Sequence, residues 1–160
     1  MKNIKITFWI AAALFALTSC NGIYEDGHEM ADQLETAVDQ IDVEDMKSKV
    51  DSGGNFVLID VRQPAEHFTN SIEGSVLIPR GDLEFAIQDS SFWMQEYMMP
   101  PADTSEIIIY CKSGKRGILA AARLQELGYE NVVNLKGGYD AFNPNQNPDA
   151  KAKQPAGCGG

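Results

Sequence analysis

The residues best able to do chemistry lie in one run, IIIYCKSGKRGILAAARLQELG, at positions 107–128. Cys111 supplies a thiol, which is a nucleophile once ionised. Lys112, Lys115 and Arg116 follow it closely, with Ser113, Gly114 and Gly117 between and after them. Cations and glycines in that order suit an anion cradle. Glycine lets the backbone curl so that N–H groups turn inward, and the cations draw negative charge towards the sulfur against the field of an acidic chain. The chemistry this implies is nucleophilic attack by sulfur on a small anion held beside it.

A cradle of this kind needs a strand to deliver the thiol and a helix to receive the loop. Ile107, Ile108, Ile109 and Tyr110 read as a buried strand, and the apolar periodicity after Gly114 reads as an amphipathic helix ended by Gly128. Cys111 then stands at the carboxyl end of a strand, the edge where open α/β sheets bind ligands. Phe56–Ile59 is a second apolar run, whose end sends Asp60 and Arg62 out on that same edge to support the loop. The plainer reading of Arg62 is an ion pair with Asp60 or Glu66 that fixes a turn. Pro64 suits the first turn of a short helix, and His67, which has no ligand partner in register, is assigned no function.

The remaining elements alternate in the same way. Val38–Ile41 reads as a short edge strand, and Asp42 caps a helix closed by Gly53 or Gly54. Ser75–Ile78 forms a strand stopped by Pro79, Asp82–Gln88 a helix, and Val132–Leu135 a last strand followed by a tight turn and a closing helix through Phe142. Strands alternating with helices call for one α/β layer structure. The aromatic and thioether groups at 92–99 fit either a core-covering helix and turn or a lid over the site.

Composition bounds the function. The chain has 160 residues, 44% of them apolar, enough for one core. Its net charge of −10 leaves no basic tract for nucleic acid. Lys2 and Lys5, the apolar run Ile6–Leu17 and the sequence Leu17-Thr18-Ser19-Cys20 read as a secretion signal over 1–19, too short for a membrane span. The LTSC ending resembles a bacterial lipobox. That resemblance implies cleavage before Cys20, acylation of Cys20, and an exported lipoprotein anchored in the cell envelope with its domain outside the cytoplasm. An ordinary secretory signal with an incidental cysteine is the alternative. Residues 20–40 are acidic and read as a tether, with partial helix as the alternative, 41–143 as the folded domain and 144–160 as a flexible tail. Cys158, in that tail, reads as incidental or as a mobile resolving thiol for Cys111. No cysteine or histidine spacing fits a metal site.

Several segments together resemble a single-domain rhodanese, or sulfurtransferase homology domain: FVLIDVRQPAEHF at 56–68, SIEGSVLIP at 71–79, IIIYCKSGKRG at 107–117 and AARLQELGYENVVNLKGGYDAF at 121–142. The resemblance implies a central parallel sheet of about five strands flanked by helices. It implies further that Cys111 takes a sulfane sulfur as a persulfide, with residues 112–116 completing its loop. Six residues from Cys111 to Arg116 match the sulfurtransferase loop. Related phosphatases and arsenate reductases carry one residue more. The partners implied are a small anionic sulfur donor such as thiosulfate and a thiol or cyanide acceptor, with no cofactor. A sulfur-carrier or redox module with little turnover of its own is the competing reading. The chain departs from the family pattern at Ser71, where a histidine is usual, and at Phe142, where a tryptophan is.

Overall fold

The structure, a computed structural model, describes residues 23–145. The segment read as a secretion signal, Cys20 and Cys158 lie outside the described residues. Five parallel strands form one sheet in the order β1-β5-β4-β2-β3: β1 Gln40–Ile41, β2 Val57–Asp60, β3 Val76–Leu77, β4 Glu106–Tyr110 and β5 Asn131–Leu135. The helices are α1 Gly27–Leu34, α2 Val43–Ser52, α3 Pro64–Thr69, α4 Leu83–Ala86, α5 Ser90–Gln95, α6 Lys115–Glu126 and α7 Gly138–Phe142. The alternation of apolar runs and helical periods called for an α/β layer structure, and the flanked parallel sheet is the one that the resemblance implied. Among the described residues no helix is long and apolar enough to cross a membrane.

The centre of the sheet is β4, buried because β-branched side chains project from both of its faces. Ile107 and Ile109 enter one core with Ile59, Trp93, Ile118, Ala121 and Leu124. Ile108 and Tyr110 enter the other with Met46, Leu58, Ile72, Leu135 and Tyr139. Alternation along a strand thus divides the core into two layers. In register, Asp60 lies beside Tyr110 on the neighbouring strand, so the ends of β2 and β4 open on one edge.

One expectation needs correction. The acidic segment read as a tether holds α1, which starts at an Asp26 cap whose carboxylate accepts from His28 N and Glu29 N. Ala31 and Val38 are buried and Leu34 packs against the core. Ala31 and Leu34 on one face of the helix, with Val38 just beyond its end, seat the segment on the domain. The stretch 92–99 is divided: Trp93 is fully buried with Nε1 donating to Ile87 O at 2.9 Å, whereas Met94, Tyr97 and Met99 are exposed.

Candidate active site

Cys111 follows the last residue of β4 and is 0% exposed. The loop after it turns at Gly114, whose φ of +95° disfavours any side chain, and Gly114 N donates to Cys111 Sγ at 3.1 Å. α6 begins on the next residue, with Ile118 N closing its first turn on Gly114 O. The thiol therefore lies against the amino end of a twelve-residue helix, where N–H groups and the helix dipole favour negative charge.

A second loop braces the first. Gly137 and Gly138, both at positive φ, bring α7 against the Cys111 loop, where Tyr139 N donates to Cys111 O at 2.8 Å and Asp140 N to Lys112 O at 2.9 Å. A Cβ on Gly138 would collide with the carbonyls of Cys111 and Lys112. Gly117 is constrained from the opposite direction: a Cβ there would run into Asn134 Oδ1 from β5. Asn134 is fully buried, its Nδ2 donates to Gln40 Oε1 at 3.3 Å, and its Oδ1 has no hydrogen-bond partner among the described residues.

The basic residues of the loop divide by partner. Arg116 forms a fork on Glu66 of α3, Nη1 to Oε2 at 3.1 Å and Nη2 to Oε1 at 3.0 Å. Bonding to Glu66 raises the Arg116 pKa above its ordinary value, against the effect of burial. Burial would raise the Glu66 carboxyl, but Arg116 and the Gln63 N–H outweigh it and hold the pKa low. Lys115 Nζ reaches Asp32 Oδ1 of α1 at 2.5 Å. Lys112 and Ser113 are exposed.

Asp60, the last residue of β2, pairs with Arg62 beside the end of β4, the strand that precedes Cys111. Arg62 donates through Nε and Nη2 to the buried Asp60 carboxylate, with Nη2 to Oδ2 at 2.7 Å, and through Nη2 to Asn70 O at 2.6 Å. The plainer reading of Arg62, an ion pair with Asp60, is the one observed. Its guanidinium lies 4.4 Å from the Tyr139 ring centroid and 5.3 Å from that of Tyr110. Tyr110 Oη in turn accepts from Ile72 N at 3.1 Å and meets Ser75 Oγ at 2.9 Å. Burial raises the Tyr110 pKa, and the Asp60 charge adds to this, so the phenol stays protonated.

Sequence reading missed His67. Its Nδ1 lies 2.9 Å from Asp60 Oδ2, making Asp60 the junction of Arg62 and His67. Burial alone would raise the Asp60 carboxyl, yet bonds from His67 and Arg62 hold it below the ordinary carboxylate range. Two departures from the family pattern are also placed: Ser71 is exposed, and Phe142 is half-buried against the second core with Lys47 Nζ 5.6 Å from its ring centroid.

The model of the rhodanese-like domain matches residues 42–145. The chain belongs to the rhodanese-like domain family. A fission yeast protein, Schizosaccharomyces pombe, provisionally named a mitochondrial thiosulfate sulfurtransferase, is 36% identical over 85 residues, 52% of this chain and 60% of its own length. The thiosulfate:glutathione sulfurtransferase of Saccharomyces cerevisiae is 34% identical over 110 residues, 67% of this chain and 79% of its own. Alignment with a Bacillus subtilis relative, provisionally named a sulfur carrier protein, spans 55% of that protein. Among solved structures, a human single-domain sulfurtransferase superposes with a TM-score of 0.61 at 28% identity, over 68% of this chain and 97% of that one. The family-matched region begins directly after β1 and leaves α1 outside it.

Proposed function

We propose that this rhodanese-like protein is a sulfurtransferase that carries a sulfane sulfur on Cys111. The observation that carries the reading is the Cys111 loop, with Sγ bonded to Gly114 N and six residues running from Cys111 to Arg116. The Cys111 thiolate attacks the outer sulfur of thiosulfate; the S–S bond breaks, sulfite leaves with the electron pair, and a Cys111 persulfide remains. An acceptor thiolate then attacks the outer sulfur, forming its own persulfide and returning the Cys111 thiolate. With cyanide the product is thiocyanate. The loop N–H groups and the amino end of α6 stabilise negative charge through both steps, and no cofactor takes part. Lys112 and Ser113, at the exposed face of the loop, and Gly114, Lys115, Arg116 and Gly117 make up the binding cradle. Asp60 and Arg62 position it.

The relatives named as sulfurtransferases support this reading at modest identity. The Bacillus relative's name supports a second, in which the persulfide is handed to one protein partner with little free turnover. Intact mass after incubation with thiosulfate tests both, with Cys111→Ser as control: one added sulfur atom is expected on the wild-type chain alone. No gain from any sulfane donor rejects both readings. Rapid release of that sulfur to small thiols or cyanide selects the enzyme over the carrier.

We propose further that residues 1–19 are removed on export and that Cys20 carries the lipid anchor, leaving a folded unit that takes in α1 as well as the family-matched residues, and a mature chain two units more negative through loss of Lys2 and Lys5. The support is the short basic start, the apolar run and the LTSC sequence. Metabolic labelling with an alkyne fatty acid should mark the wild-type protein and leave Cys20→Ala unlabelled; equal labelling of both rejects the anchor.

A further inference from the structure

The family-matched region begins at residue 42, yet α1, at Gly27–Leu34, lies against the very helix that opens on the reactive loop. Its apolar face explains why it stays: Ala31 is fully buried and Leu34 packs on the core beside α6. Its polar face does something the fold does not need. Asp32 Oδ1 stands 2.5 Å from Lys115 Nζ, the ammonium of the residue on which α6 starts. Asp26, whose carboxyl is held low by Glu29 N and His28 N, also feels the charge of Lys115, to a smaller degree.

We propose that Asp32 is a positioning residue for the sulfur-donor cradle: by holding Lys115 it sets how strongly the loop draws an anionic donor. The proposal rests on the sulfur-transfer reading above. Lys115 and Arg116 are adjacent cations in a cradle that must attract an anion to a strongly acidic chain. Each is held by a carboxylate from outside the loop, Arg116 by Glu66 and Lys115 by Asp32. Glu66 belongs to the family-matched region, whereas Asp32 is contributed by the added helix. Both partners in the Asp32 pair are substantially exposed, 57% for Asp32 and 39% for Lys115, so the pair adds little to folding and its effect falls on the local field. With Asp32 in place the cradle admits an anion with restraint.

The test compares Asp32→Asn with wild type in the full chain. Asp32→Asn is expected to lower KM for thiosulfate by about two- to threefold with kcat unchanged, and the gain should shrink as salt is raised. A purely structural role would not produce that split. In a Lys115→Gln background the same substitution should change nothing. Alkylation of Cys111 supplies a readout that needs no sulfur transfer: the ratio of the rate with anionic iodoacetate to that with neutral iodoacetamide should rise by about the same factor in Asp32→Asn. An unchanged ratio, or a change that persists without Lys115, overturns the proposal. A wild-type chain that takes up no sulfur removes the sulfur-transfer reading instead, and the alkylation ratio alone then decides the role of Asp32.

Discussion

Tyr139 N donates to Cys111 O at 2.8 Å, so the backbone of the reactive residue is fastened by a helix almost thirty residues further along the chain. That bond exists because Gly138 has no side chain: its φ is +61° and any Cβ would strike the Cys111 and Lys112 carbonyls. Gly138→Ala should therefore displace the loop, with a stability loss of about 1–3 kcal/mol from overpacking and strain. Sulfur loading of Cys111 should fall by more than the loss of folded protein accounts for. Intact mass after timed thiosulfate exposure, alongside a urea midpoint, checks this.

Gly117→Ala presses on the same loop from its other side, through Asn134 Oδ1. A loss of about 1–3 kcal/mol is expected. The double variant with Asn134→Ala should recover part of it, because the colliding amide is gone. A thermodynamic cycle on urea midpoints measures the coupling, and additive losses would argue against the collision.

Asp60 joins two partners in the interior, so Asp60→Asn should cost about 3–5 kcal/mol, as removal of one member of a buried ion pair does. The pH dependence has a definite sign. The folded Asp60 carboxyl lies below the unfolded value of 3.8, so its contribution is full above that value and is lost as pH falls through the folded one. Unfolding curves taken from about pH 6 down to about pH 3 should show the gap between wild type and Asp60→Asn narrowing in acid.

Trp93 anchors the segment between α4 and β4, fully buried with its indole N–H on Ile87 O. Trp93→Ala should cost about 3–5 kcal/mol. Met94→Ser and Tyr97→Ser, on exposed neighbours, should each change stability by about 0.5 kcal/mol or less. Equal losses at all three positions would contradict this division of the segment.

Much of the site was legible because its parts are contiguous. Cys111, the glycines and the cations follow one another, and the isoleucines before them leave little choice but a buried strand. Asp60 and Arg62 were placed on the correct edge because parallel strands end on one side. What sequence could not show were pairings between distant positions: Arg116 with Glu66, fifty residues apart, and Lys115 with Asp32, eighty-three apart. His67 was passed over because its partner is a carboxylate seven residues back, brought close by the turn into α3 rather than by any ligand spacing. The segment before residue 41 read as a tether because its six acidic residues stand among few large apolar ones. Ala31 and Leu34, with Val38 beyond the helix end, carry a pattern too sparse to stand out; Asp26 as a cap, with Glu29 three residues on, was the signal that could have found α1.

The complete burial of Cys111 also works as a sieve. Its sulfur offers no area to a water-sized sphere, so the flat surface of another protein meets the rim of the loop before it meets the thiol. A terminal sulfur is itself wider than such a sphere, so the loop must give way before a donor touches the thiol. Once a sulfur is added to Cys111, the reactive end of the group moves outward by one bond length, about 2 Å. Loading thus brings forward an atom that the empty site keeps out of reach.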